Sequence, residues 1–258
     1  MSELNALFRQ RIGLSEDETI TFASLNHLLE QTATIIPFEN LRIIEGKTND
    51  ITKDSLMNKI LVNKEGGLCY ELNSILYFFL VDNGFNVVLT RGVVYNHDAQ
   101  VYSAAGRTHV TILLTHEDQT YLIDTGFGGN LPLKPVPLSG EPVSSANGQS
   151  RIRKTSTEHG DYVFEQKLKY KHTDWKTGYA FDSGMPVTDV SEMNEIQKII
   201  AHDPKSSFNK NPLVTRLTNE GNMTLTDTSF TRWSHGIVTK ESIDRARFKE
   251  LLKEHFGM

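Results

Sequence analysis

From Phe22 to Gly84 the apolar residues recur at three- and four-residue steps, the spacing of helices that bury one face. Phe22, Leu25, Leu28, Leu29 and Ile35 trace the first stripe, which stops before Pro37 because a residue ahead of proline disfavours the helical region. A second helix is expected from about Thr52 through Leu56, Ile60 and Leu61 to Gly66. The clearest stripe is Leu72, Ile75, Leu76, Phe79 and Leu80, and Gly84 just beyond it suits a left-handed C-terminal cap.

After Gly84 the period falls towards two. Residues 87–95, 109–114 and 121–124 read as strands, with 116–119 as the turn between the last two. Residues 152–157 and 162–170 read as a further hairpin turned at 158–161, and 126–148, rich in Gly, Pro and Ser, as a long loop. A helix over about 189–202, strands near 213–218 and 223–227, and a closing helix over about 239–256 complete the chain. A helical first third, a β middle and a mixed end predict three α+β units.

Composition narrows the class. A chain of 258 residues can bury a substantial core, and 38 % hydrophobic with 23 % charged residues places it among ordinary globular proteins. A net charge of −5 and a pI near 6.0 predict no strongly basic face, which argues against a nucleic-acid partner. The densest basic stretch, 151–154, reads as an exposed strand. The longest apolar run, 75–81, is far too short for a membrane span, so no membrane partner is expected. Residues 1–8 lack a basic segment followed by an apolar run, so a reduced cytoplasm is the expected location, and Asn222-Met223-Thr224 would not be glycosylated there. A single cysteine argues against an internal disulfide or a multi-cysteine metal site. No two histidines share a metal-binding spacing on one helix, so no metal is expected.

That cysteine, Cys69, follows Gly66-Gly67 at the mouth of the third helix. A thiol there meets unpaired backbone N–H groups and the positive end of the helix dipole, both of which favour thiolate. The two glycines permit a tight turn and leave room for a substrate, and the same N–H groups are candidates for an oxyanion hole. A lone cysteine at a helix start is otherwise a small buried hydrophobe. What changes the reading is a base and a carboxylate: His109 opens one strand, Asp124 closes the next, and the hairpin brings them close to opposite each other. An Asp beside a His fixes the imidazole tautomer and holds a positive charge that supports a thiolate. Gly126-Phe127-Gly128-Gly129 follows the second strand and leads into a Pro-bearing loop, which excludes the dinucleotide fingerprint. It is either a turn that needs glycine or a cradle whose N–H groups receive a pyrophosphate.

Taken together, Pro37-Phe38-Glu39-Asn40-Leu41, the segment from Gly66 through Cys69 to Asn73, His109-Val110, and the segment from Tyr121 through Asp124 to Gly128 resemble the arylamine N-acetyltransferases. The match is sharpest over about residues 10–130; Ser207-Phe208 and Glu254-His255-Phe256-Gly257 resemble later features of that family. The resemblance implies an α+β fold: an N-terminal helical bundle over 1–84 with the nucleophile, a central β-barrel over 85–188 with His and Asp, and an α/β lid over 189–258. It implies ping-pong chemistry with Cys69, His109 and Asp124 as the catalytic triad. Acetyl-CoA would acetylate Cys69, and an arylamine, arylhydroxylamine or arylhydrazine would then take the acetyl group. Gly126, Gly128, Gly129, Phe208 and Trp233 become the expected coenzyme A contacts, and Phe38 and Phe127 the walls of the acceptor site.

One departure stands out. The family usually carries Arg directly before the two glycines and pairs it with the acid of the early signature, here Glu39; this chain has Lys64-Glu65. Glu65 cannot make that pair, so either Lys64 makes it from one position earlier or the contact is gone. Three other readings share parts of the pattern. They are a transglutaminase-like or hydrolytic cysteine enzyme, a different acyl transfer on the same scaffold, and a binding protein for CoA or aromatic ligands. The glycine turn after Asp124 weighs against the first, and the presence of Cys69, His109 and Asp124 together against the last.

Overall fold

The computed structural model describes residues 1–258. Its first part is helical: α1 (Glu3–Ile12), α2 (Leu25–Ile35), a two-residue strand β1 (Phe38–Glu39), and the short α3 (Leu41–Ile44). The second expected helix is α4 (Lys53–Leu56), capped by Thr52 and Ser55 and continued by a π-helical turn over Met57–Val62. It ends earlier than the apolar pattern implied, because Lys64 turns left-handed at φ 58° ahead of the glycines. The third is α5 (Cys69–Asp82), followed by left-handed Gly84 at φ 81°. Leu72, Ile75, Leu76, Phe79 and Leu80 form its buried stripe, and Tyr70, Asn73 and Ser74 are buried as well. A helix buried on more than one face sits at the centre of its unit. Phe79 stacks on Phe8 of α1 at 4.4 Å between ring centroids, while Val87, Leu89, Val110, Ile112 and Leu114 of the neighbouring sheet join the same core.

That sheet comprises β2 (Asn86–Asn96), β3 (Val101–Tyr102), β4 (His109–His116), β5 (Gln119–Ile123), β6 (Val136–Pro137), β7 (Val143–Ser145), β8 (Gly148–Thr157), β9 (Gly160–Leu168) and β10 (Lys176–Pro186). The strands run in the order β6-β5-β4-β2-β10-β9-β8-β7, with β3 paired to β2, and curl into a nearly closed barrel. Phe164, Tyr179 and Phe181 fill it from inside. Then come α6 (Met193–His202), β11 (Leu213–Thr218), β12 (Gly221–Thr226), β13 (Ser229–Ser234), β14 (Ile237–Ser242) and α7 (Arg245–Leu251), the last continued by a π-turn to Phe256. β1 pairs with β11, so the C-terminal sheet of five strands holds the early signature segment as its edge.

The structure departs from the pattern reading in several places: the expected loop over 126–148 contains β6 and β7, and β13 was unmarked. β10 is an eleven-residue strand that the periodicity left unmarked, its alternation broken by Gly178 and Gly184. The closing helix starts at Arg245, because Thr239–Ser242 belongs to the edge strand β14. In the β4–β5 hairpin, His116 faces Gln119 across a two-residue turn with Glu117 and Asp118 both at positive φ. Ile112 therefore faces Ile123, and Asp124 continues towards Thr111 instead of His109. The offset is two residues, and a two-residue offset keeps every side chain on its face. His109 and Asp124 accordingly still meet.

Candidate active site

The cysteine loop is sewn to β1 by main chain. Glu39 N donates to Gly67 O at 3.0 Å, and Gly67 N to Pro37 O at 3.2 Å. A Cβ at Gly66 would fall 2.0 Å from Pro37 O, so this approach requires glycine. Beneath the loop, Glu71 caps α5: its Oε2 accepts from Leu68 N at 2.9 Å, and its Oε1 accepts from Lys59 Nζ at 2.7 Å. Lys59 Nζ also lies 3.1 Å from Glu39 Oε1. All three side chains are buried. Burial alone would lower the Lys59 pKa; Glu71 and then Glu39 outweigh it, and the ammonium is held charged. For Glu39 burial wins, aided by Glu71, and its pKa rises despite Lys59.

The cation beside Glu39 is thus Lys59, not Lys64. Lys64 uses its carbonyl to accept from Arg11, and Glu65 forms a two-point pair with Arg42 at 2.7 Å for each bond. A lysine in a helical segment ordinarily reads as solvated, so the pattern carried no sign of Lys59.

Above the loop, Cys69, His109 and Asp124 lie in series, all buried. His109 Nε2 meets Asp124 Oδ2 at 2.8 Å, and the imidazole lies beside the Cys69 side chain. The cysteine Sγ lies 3.5 Å from Thr108 O. Asp124 has four partners. Tyr179 Oη donates to Oδ2 at 2.8 Å, while Asn73 Nδ2 and Gly126 N donate to Oδ1 at 2.9 and 2.7 Å. Burial alone would raise the carboxyl's pKa; His109, Asn73 and Gly126 outweigh it and hold it low. Burial would likewise lower the imidazole's, but Asp124, assisted by Cys69, pushes it up to about 10. An imidazolium beside a thiol is suited to stabilise a thiolate and to deliver a proton to a leaving group.

Asn73 and Tyr179 were not foreseen. Asn73 stands one helical turn beyond Cys69, hence on the same face, and besides Asp124 it holds Val110 O and Thr125 N. Tyr179 sits on the unmarked β10, its ring 4.3 Å from that of His109.

The thiol opens into a cavity of about 700 Å³. Phe38, Gly126, Phe127, Gly128, Gly129, Phe208 and Trp233 all line it, with Cys69 and His109. Phe38 and Phe208 meet edge to face at 5.6 Å, and Phe127 lies 5.1 Å from the His109 ring. The glycines divide. Gly126 gives its N–H to Asp124, and a Cβ there would lie 2.5 Å from Cys69 Cα, so it makes room for the nucleophile. Gly128 turns left-handed at φ 61°. A Cβ at Gly129 would meet only Asn222, in ordinary van der Waals contact at 3.8 Å. No three His, Cys, Asp or Glu side chains are grouped to hold a metal ion. No helix is long and apolar enough to cross a membrane.

A buried thiol, imidazole and carboxylate facing an aromatic-walled cavity have the chemistry for covalent acyl transfer or hydrolysis. The relatives favour transfer. A family model described as N-acetyltransferase matches residues 21–258. The chain is 40 % identical to an uncharacterized acetyltransferase of Bacillus subtilis, YvcN, over 96 % of this chain and 95 % of that one. It is 32 % identical to the arylamine N-acetyltransferase / N-hydroxyarylamine O-acetyltransferase of Salmonella typhimurium, over 90 % and 80 %. The solved arylamine N-acetyltransferase of Bacillus cereus, described as having a unique Cys-His-Glu catalytic triad, superposes with a TM-score of 0.95 at 41 % identity, covering 100 % and 99 %. In this chain the carboxylate beside the histidine is Asp124. The chain belongs to the arylamine N-acetyltransferase family, and it is an acyltransferase.

Proposed function

We propose that the chain moves an acetyl group from acetyl-CoA to an arylamine, arylhydroxylamine or arylhydrazine by a ping-pong route through a thioester on Cys69. The observation that carries the reading is the placement of His109 at the wall of the cavity, bonded to Asp124 on one side and beside Cys69 on the other. The Cys69 thiolate attacks the acetyl carbonyl, the C–S bond to CoA breaks, and the departing thiolate takes the proton from His109. The acceptor nitrogen (or hydroxylamine oxygen) then attacks the Cys69 thioester, His109 takes its proton, and the Cys69 thiolate leaves. Thioester exchange is nearly balanced and amide formation runs downhill, so the acyl-enzyme needs shelter from water; the burial of Cys69 at the inner end of the cavity limits access to it.

Asp124 keeps the imidazole oriented and charged, with Asn73 and Tyr179 fixing the carboxylate in turn. Phe38 and Phe127 serve as walls for a flat aromatic acceptor. Gly128, Gly129, Phe208 and Trp233 serve the CoA end, and Gly126, whose N–H is engaged, serves the nucleophile instead. Initial rates with both substrates varied test the route. Parallel double-reciprocal lines are expected, and lines that intersect would reject ping-pong transfer.

A further inference from the structure

Away from Cys69 the cavity runs outward between two turns. One joins β9 to β10 and contains Lys169, Tyr170 and Lys171; the other joins β13 to β14 and contains His235 and Gly236. Cys69 and His109 are buried, whereas these five residues are exposed, so they form the mouth. Tyr170 holds a left-handed backbone at φ 63°, uncommon for an aromatic residue, inside a turn closed by Lys171 N and His172 N, which both donate to Leu168 O. Its side chain lies against the facing turn: a Cβ at Gly236 would be 3.1 Å from Tyr170 Cβ. The barrel and the C-terminal sheet therefore meet at the mouth through Tyr170, which keeps 58 % of its surface exposed. Lys169 Nζ lies 4.9 Å from the centre of its ring.

The charge here runs against that of the whole. Residues 167–176 carry Lys167, Lys169, Lys171 and Lys176 against Asp174 alone, in a chain of net charge −5. Partial burial and then the positive charge of Lys171, Lys176 and His97 hold the pKa of His172 below its usual value. Neither the triad nor the aromatic walls uses this cationic, aromatic rim.

We propose that the β9–β10 turn is the subsite for the nucleotide end of the acyl donor, with Lys169 and Lys171 against its phosphates and the Tyr170 face against its base. The proposal rests on acetyl-CoA being the donor. The pantetheine arm separates the reacting sulfur from the phosphates, so a donor whose thioester reaches Cys69 presents them towards the mouth. Exposed lysines there attract polyphosphate and fade in effect as salt screens them.

The test compares acetyl-CoA with S-acetyl-N-acetylcysteamine, a thioester without a nucleotide, in wild type, Tyr170→Ala, the double variant Lys169→Glu/Lys171→Glu, and the double variant Lys169→Arg/Lys171→Arg. The Glu pair is expected to raise KM for acetyl-CoA about ten-fold at low salt, and less at high salt, while the Arg pair stays near wild type. Tyr170→Ala is expected to raise KM for acetyl-CoA by several-fold, and the short thioester to keep its KM in every variant. An unchanged KM for acetyl-CoA in the Glu pair, or an equal rise with both donors, overturns the subsite. Equal KM values for the two donors in wild type would instead overturn the choice of acetyl-CoA as donor, and the subsite with it.

Discussion

Replacing Lys59 with methionine should loosen the nucleophile loop without touching any reacting group. The substitution keeps an unbranched apolar chain but removes the ammonium that lies 2.7 Å from Glu71 and 3.1 Å from Glu39. Two buried carboxylates would then face each other with the cation gone; Glu39 Oε1 already has no aligned hydrogen bond besides that ion contact. Breaking a buried pair by removing one partner costs about 3–5 kcal/mol, a large share of the about 5–15 kcal/mol that a folded domain has in reserve. At about 2–4 °C per kcal/mol for a chain of this size, Tm should fall by about 6–20 °C. The loss should depend on pH in a defined sense. Glu39 already has a raised pKa, so the fold gains from its protonated form at low pH, and that contribution is lost as pH rises through the folded pKa. The deficit of Lys59→Met should therefore be smaller in mild acid than at neutral pH. Lys59→Arg, which keeps the charge, should recover part of the stability. Thermal unfolding at pH 5 and pH 7.5, with iodoacetamide labelling of Cys69, reads both effects. A Lys59→Met protein that melts within a degree or two of wild type and labels at the same rate would refute the role given to this cluster.

Asp124→Asn should slow thiol alkylation at pH 7 by about 100-fold or more, since burial then acts on His109 with no carboxylate to oppose it; a pH–rate profile of labelling checks this. The His109–Asp124 ion pair should give its full stabilisation below the usual imidazole pKa and lose it only as pH rises through about 10, which thermal unfolding against pH checks. Tyr179→Phe removes one donor from Asp124 Oδ2 and should lower kcat by several-fold with little change in KM, read by steady-state kinetics. Gly126→Ala should impair all donors alike, since its Cβ would strike Cys69. Gly129→Val meets only Asn222, in ordinary contact, at the wall of the cavity, and should raise KM for acetyl-CoA while sparing p-nitrophenyl acetate.

What the residue pattern carried, and what it did not, follows from locality. The α5 stripe with Gly84 behind it was legible because helix period and cap lie within one short segment. The pairing of His109 with Asp124 survived a register error of two because strand alternation returns the same face every second residue. Lys59 was hidden because its partners, Glu39 and Glu71, lie in other elements, and only the packed fold converts an ordinary helical lysine into a buried one. Tyr179 was hidden with its strand: glycines at 178 and 184 erase the alternation, yet Gly178 is close-packed, with Phe164 Cδ1 2.7 Å from where its Cβ would be. Of the two outcomes open for Glu39, a contact from Lys64 or none, neither holds: its cation is Lys59, while Lys64 sits in a left-handed turn.

The central claim is covalent transfer through Cys69, and the most direct measurement is the intact mass of the protein after brief mixing with acetyl-CoA alone, quenched cold. The account predicts one added acetyl group in wild type, none in Cys69→Ser, and loss of the adduct when an arylamine such as aniline is added. A wild-type protein that stays at its unmodified mass, or a Cys69→Ser protein that gains the same adduct, would contradict it.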